Sequence, residues 1–260
     1  MDELITKKRI TRFFENGKVM ELEDHIIREY RLLIHLDGEE FIQAVVLPSL
    51  LEEFVLGFLV TRGIIHGPED LTSLEVEKGT ASVLRHPENR GMLPDLRLLE
   101  STGSRNLALE IAPHFASTLS SSPLRVSAKV LIKGVRMLSQ MPLYKKTGGT
   151  HCATLFDSDG EPVMSAEDVG RHNSVDKAIG GGLKKGADFA RCWLAVSGRL
   201  PADMVLKPLM VGIPLVASVS AATFDAIEIG EGAGLTVIGF SREGRMNCYC
   251  HPERIIPAPS

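Results

Sequence analysis

The stretch Trp193-Leu194-Ala195-Val196-Ser197-Gly198-Arg199-Leu200-Pro201 reads as strand, polar turn and helix start. Four apolar residues make a strand-length run, and Pro201 suits a first helical turn, where its missing N–H would be unpaired anyway. The unit recurs downstream: a helix from Pro201, strand Pro214 to Val219, a helix from about Ala222, and strand Leu235 to Gly239. Upstream, Ala153 to Phe156 and Val163 to Ala166 read as strands joined through Asp157-Ser158-Asp159-Gly160, followed by a helix from about Gly170 to Leu183. A helical pattern from Val126 to Met141 leads into them. Strands alternating with helices predict an α/β layer whose helices cover a largely parallel sheet.

Working outward, the first half reads as strand-rich with one helix. Glu29 to Leu36 and Glu40 to Val46 flank Asp37-Gly38, and Leu71 to Glu77 and Ala81 to His86 flank Lys78-Gly79, two hairpin signals. Between them Pro48 is expected in the first turn of a helix whose apolar stripe, Leu50, Leu51, Phe54, Val55, Phe58 and Leu59, ends near Gly63. The stretch from there to Asn106 is loop-like after His86, and the polar run Ser117 to Pro123 is the expected junction between a domain over 1–122 and one over 123–260.

With 24% charged residues and a formal net charge of -4, the composition lacks the positive field a duplex binder uses. Apolar runs such as Ile213 to Val219 fall well short of the roughly 20 residues that span a bilayer. The N-terminus carries Lys7-Lys8-Arg9 and no apolar leader, so the expectation is a cytoplasmic protein with thiols, not disulfides.

In an open α/β sheet ligands sit beyond the carboxyl ends of strands, and here those turns are polar. Thr147-Gly148-Gly149-Thr150-His151 combines backbone freedom with hydroxyl and imidazole groups. Asp168, Arg171, His172, Asn173, Asp176 and Lys177 crowd the start of one helix, where carboxylates are expected to accept from ribose hydroxyls or a guanine edge. Ser197-Gly198-Arg199 and Phe240-Ser241-Arg242-Glu243-Gly244-Arg245 add three arginines suited to a pyrophosphate.

These segments, together with Asn247 and His251-Pro252-Glu253-Arg254, resemble the FdhD family pattern from about Glu29 to Ile256. So does Leu47 to Leu59 with Gly63-Ile64-Ile65, where Arg62 replaces the family's usual acid. The resemblance implies a cytidine-deaminase-like layered α/β domain beside a smaller α+β N-terminal domain, and a homodimer. It also implies binding of molybdenum bis(molybdopterin guanine dinucleotide) as cargo, and transfer of sulfur onto it from a cysteine desulfurase before it enters formate dehydrogenase, a sulfurtransferase role. The implied cofactor-binding residues are those named above, with Phe240 to Arg245 matching the family's binding stretch.

The chain departs from the family at the Cys-Gly-x-Cys loop that takes up sulfur. The corresponding residues are Glu100-Ser101-Thr102-Gly103-Ser104-Arg105-Asn106, without cysteine, and a hydroxyl cannot replace a soft thiolate. Cys152, beside His151, is then the candidate nucleophile, and the alternative is a cofactor-binding chaperone without sulfur transfer. Cys192 reads as a core thiol. Cys248 and Cys250 are expected on opposite faces of a strand, and no metal site is expected. A zinc deaminase, the reading from fold alone, needs a His-x-Glu or Cys-x-Glu followed by Pro-Cys-x-x-Cys, and no Cys-x-x-Cys occurs in the chain.

Overall fold

The computed structural model describes residues 4–90, 112, 114–116 and 119–257. It opens with a two-stranded antiparallel hairpin, β1 (Ile5–Phe13) and β2 (Val19–Ile27), turning at Asn16-Gly17. Next come β3 (Tyr30–Leu36) and β4 (Glu39–Val46), then helix α1 (Leu51–Val60), then β5 (Leu71–Glu77) and β6 (Thr80–Arg85). These form a four-stranded sheet in the order β4-β3-β6-β5. Both expected hairpins close on residues with positive φ, Asp37 (55°) with Gly38 (91°) and Lys78 (47°) with Gly79 (86°), the geometry whose twist matches paired strands. Pro48, expected inside α1, precedes it. Leu47 N–H is bonded to the Asp168 carboxylate and Ser49 N–H to Leu47 O, so the chain turns before Leu51.

The second half begins with β7 (Val126–Ser127), helix α2 (Ala128–Met137) and the short helix α3 (Pro142–Thr147). The helix expected from Val126 to Met141 thus starts at Ala128 and runs on past Met137 as a 3-10 turn, Leu138–Gln140. Ser127 Oγ caps α2 by accepting from Val130 N–H, and Met141, preceding Pro142, is extended (ψ 140°), as residues before proline tend to be. Strand β8 (His151–Phe156), β9 (Pro162–Asp168), helix α4 (Arg171–Lys184), β10 (Trp193–Val196), helix α5 (Ala202–Met210), β11 (Leu215–Ser218), helix α6 (Phe224–Ala233), β12 (Thr236–Arg242), β13 (Arg245–Cys250) and β14 (Ile255–Ile256) follow.

The six-stranded sheet has the order β13-β12-β11-β10-β8-β9. Here the expectation of a largely parallel sheet is corrected: only β10–β11 and β11–β12 are parallel. Parallel neighbours need a crossover helix, and only α5 and α6 supply one. The hairpins β8–β9 and β12–β13 force antiparallel pairing at both flanks. The architecture is mixed α/β. On one face, Cys152, Phe156, Trp193, Ala195, Leu215 and Ile238 pack under α2. On the other, residues of α4, α5 and α6 share a continuous core with α1 and the four-stranded sheet.

The two halves meet most closely where α1 crosses α4. A Cβ on Gly57 would lie 1.8 Å from Asp176 O, and one on Gly180 would lie 1.9 Å from Glu53 O. Backbone touches backbone there. The expected junction is itself packed: Ser122 is buried, and Leu119 and Leu124 on either side of it are buried in turn. No helix among the described residues is long and apolar enough to cross a membrane.

Candidate functional site

The carboxyl ends of β9, β10, β11 and β12 and the start of β8 all lie along one edge of the six-stranded sheet. The polar turns around Thr147 to His151, Asp168 to Asn173, Ser197 to Arg199 and Phe240 to Arg245 map to that edge, whereas His251 to Arg254 sits at the opposite one, where Thr236 Oγ1, at the start of β12, donates to His251 O. The clusters do not form one cavity. With strands about 4.8 Å apart, β12 and β8 are separated by roughly 14 Å, so the edge suits an elongated ligand.

At its β8–β10 end, Ser197 Oγ accepts from Cys152 N–H (2.9 Å) and pairs with His151 Nδ1 (3.2 Å). Strand order reverses here, since β8 and β9 lie on one side of β10 and β11 on the other, the position where open α/β sheets take ligands. A recess of about 310 Å³ lined by Tyr144, Gly148, Gly149, Thr150, His151 and Ser197 opens at this point. Burial and the Arg171 charge push His151 below the usual imidazole range, so it is a neutral hydrogen-bonding group at neutral pH. The glycines have local roles. Gly148 (φ 64°) ends α3, whose first turn is capped by Glu167 accepting from Leu143 and Tyr144 N–H (3.0 and 2.6 Å), and Thr147 Oγ1 donates to Leu143 O.

The acidic run resolves differently from expectation. Asp168, wholly buried, is ion-paired with the equally buried Lys177 (2.6 Å) and accepts from Leu47 N–H, Gly170 N–H and Asn173 Nδ2. Lys177 also donates to Leu47 O and Asn173 to Val45 O. Asp176 is wholly buried against Lys207 (2.5 Å), Thr61 Oγ1 (2.8 Å) and Arg62 (3.3 Å). Burial alone would raise its pKa, but Lys207 and Arg62 hold it below the usual carboxylate range. The expectation that these carboxylates accept from ribose or guanine is corrected: their oxygens are spent inside the protein, joining the two halves. Arg62, stacked on the Phe58 ring at 3.6 Å, belongs to this network.

Arg171 and His172 reach the surface. They line a second cleft, about 430 Å³, together with Arg62, Asp203, Lys207 and strand β4. His172 Nε2 lies 3.3 Å from Asp203. Burial, then the charge of Lys207, depresses His172 to about 4, although Asp203 opposes the shift. Asp203 and Lys207 were missed from the sequence, because isolated charges in apolar helices carry no local motif, and Arg62 entered only as a departure from the family pattern.

At the far end, Arg199, Arg242, Glu243, Gly244, Arg245 and Asn247 are exposed, while Gly198 and Ser241 are buried. Gly198 leaves room for Arg171, whose Cβ would stand 3.2 Å from an added methyl. Phe240 (φ 49°) and Glu243 (φ 55°) hold left-handed backbone flanking a register shift between Gly239 and Arg242. Non-glycine residues there cost about 1 kcal/mol or more and cluster at functional sites.

The family model described as FdhD/NarQ matches residues 27–256. The chain belongs to the FdhD/NarQ family. Among FdhD/NarQ relatives, it is 32% identical to the sulfur carrier protein FdhD of Wolinella succinogenes, the alignment covering 98% of this chain and 90% of that one. It is 36% identical to the protein of that name from Anaeromyxobacter dehalogenans strain 2CP-C (90% and 89% covered), and 30% to that from Bacillus subtilis (98% and 99%). The crystal structure of a candidate formate dehydrogenase accessory protein from Desulfotalea psychrophila superposes with a TM-score of 0.77 at 27% identity, covering 97% of this chain and all of that one.

The cysteines of this FdhD/NarQ chain number four. The Glu100 to Asn106 loop, cysteine-free in sequence, lies outside the described residues. Cys152 is 1% exposed on the α2 side of the sheet, and burial, with Glu167 nearby, pushes its thiol up to about 12. A buried, protonated thiol does not fit the nucleophile expected at this position. Burial likewise pushes Cys192 up to about 11 and Cys250 to about 12, and raises Cys248. Cys248 and Cys250 do face opposite sides, for a reason the sequence hides. Residues two apart in a regular strand share a face, but a bulge sets Val237 opposite Cys250 and Ile238 opposite Cys248. Among the described residues no three His, Cys, Asp or Glu side chains gather to hold a metal ion.

Proposed function

We propose that this chain is a formate dehydrogenase accessory protein that holds the guanine dinucleotide form of the molybdenum cofactor along the sheet edge, without carrying sulfur on a thiol of its own. The observation that carries the second clause is the state of the cysteines: three are buried, one is half-buried, and all four thiols are shifted upward. Sulfur uptake needs an accessible thiolate. Support for the first clause comes from family membership, the relative that bears the accessory-protein name, and exposed Arg199, Arg242 and Arg245 on one edge with His151 and Ser197. Arginine forks suit phosphate oxygens, and hydroxyl and imidazole groups suit sugar and ring edges.

The test has two parts. Incubation with a cysteine desulfurase and L-cysteine, followed by intact-mass analysis, is expected to add no sulfur atom, while GDP titrated calorimetrically is expected to bind. A mass gain of one sulfur, abolished in Cys152→Ala or another single cysteine variant, would establish the second reading, a sulfur carrier, which is favoured by the names of the curated relatives. The implied homodimer is a further part of the reading, tested by light scattering.

A further inference from the structure

Phe224 opens α6 with 69% of its surface exposed, although the Ala226 and Ile229 side chains of the same helix are fully buried. An aromatic ring left in water at a helix start gains nothing for the fold. Its surroundings are specific. Leu200 N–H donates to Ala221 O (2.9 Å), Thr223 N–H to Leu200 O (3.0 Å) and Phe240 N–H to Ser220 O (2.9 Å). Ser218 Oγ donates to Gly198 O, and Leu200 and Ala222 form an isolated parallel bridge. The loops following β10 and β11 and the carboxyl end of β12 are thus laced together into one rim at the ligand edge of the sheet.

That rim carries the exposed guanidinium groups of Arg199 and Arg242, the latter 5.3 Å from the Phe240 ring centre. It also carries the N-terminus of α6, where Thr223 Oγ1 accepts from Ala226 N–H and Asp225 stands in the first turn. Positive charge and an exposed aromatic ring on one rim match a ligand with phosphate at one end and a flat heterocycle at the other.

We propose that Phe224 is the stacking platform for the base of the bound nucleotide, with Arg199 and Arg242 taking its phosphates. The proposal rests on the nucleotide-binding reading above and names the residue that supplies ring affinity. Every base presents a π-face, so Phe224 strengthens binding without choosing the base.

The experiment compares full-length wild type, Phe224→Ala and Phe224→Trp by calorimetry with GDP and, separately, inorganic pyrophosphate. Phe224→Ala is expected to weaken GDP on the order of tenfold, to leave pyrophosphate binding unchanged, and to keep the wild-type melting temperature and oligomeric state. Phe224→Trp is expected to keep GDP affinity, with emission of the new indole quenched on binding. Wild type that binds GDP no more tightly than Phe224→Ala overturns the proposal while leaving nucleotide binding intact. A changed oligomeric state with unchanged GDP affinity overturns it in favour of a subunit contact. Wild type that binds neither probe removes the nucleotide reading itself, and the proposal with it.

Discussion

Gly57→Ala should destabilise the protein by about 3 kcal/mol, and the same substitution at Gly232 should stabilise it. The added methyl at Gly57 would sit 1.8 Å from Asp176 O, 2.6 Å from Asp176 C and 2.9 Å from Gly180 N. Carbon and carbonyl oxygen ordinarily meet no closer than about 3.3 Å, so about 1.5 Å must be found. Every clashing atom is α4 backbone, so no rotamer change relieves it. The helices must part, shedding contacts of Phe54, Val55, Val175 and Ile179, all wholly buried. Overpacking costs about 1–3 kcal/mol and sometimes more, against a gain of about 1 from replacing a helical glycine. Because a main-chain clash exhausts the usual relaxation, the upper end applies. Gly232, also helical, is exposed, and a methyl there would meet only Ala112 Cβ at 3.9 Å, leaving a gain of about 0.5–1 kcal/mol. For a chain of this size each kcal/mol moves the melting temperature by about 2–4 °C, so Gly57→Ala should melt about 6–12 °C lower and Gly232→Ala slightly higher. Both are read by thermal unfolding and checked with urea. Equal melting temperatures for the two variants would refute the close helix crossing.

Asp176→Asn should cost about 3–5 kcal/mol, because the Lys207 ammonium at 2.5 Å is left buried without its counter-charge; adding Lys207→Met should recover most of it in a urea double-mutant cycle. His172 should make the protein acid-sensitive. Its folded pKa of about 4 lies below the ordinary 6.5, so the unfolded chain binds the proton first, and the stability it contributes is present above pH 6.5 and lost as pH falls through 4. At most about 3 kcal/mol is involved, and His172→Gln should flatten that part of the pH profile relative to wild type. Ellman's reagent at pH 8 should label Cys152, Cys192 and Cys250 only on unfolding; rapid labelling of Cys152 in the native protein would remove the case against it as a nucleophile.

Much of the strand and helix order was legible because local rules decided it. Asp37-Gly38, Lys78-Gly79 and the apolar run Trp193 to Val196 behaved as read, with strand and hairpin ends within a residue or so. The β1–β2 hairpin was passed over although Asn16-Gly17 is a strong turn signal, since charges on both strands mask any alternation. Sheet direction was misjudged because adjacency is not encoded locally. Loop brevity at β8–β9 was the available clue. The site was half legible. Its residues do gather at one edge, but which charges face a ligand depends on partners far along the chain: Leu47 for Lys177, Thr61 and Lys207 for Asp176.

Helical phase explains the division. Asn173, Asp176, Lys177 and Gly180 recur at three- and four-residue spacing and form one face of α4, the face turned to α1 and β4. Polar groups occupy the stripe where apolar residues would normally sit. Burying such pairs gains little stability over an apolar stripe, but with bare glycines in contact the helices could slide, and paired charges with fixed donors allow one register. That register sets where Arg171 emerges, and bare Gly198 lets it pass closely, since an added Cβ would press on Arg171 Cβ at 3.2 Å. The buried pairs therefore act on the edge through position: Asp168 and Lys177 hold the end of β9 against Leu47, and the ligand-facing side chains stand on the frame they fix.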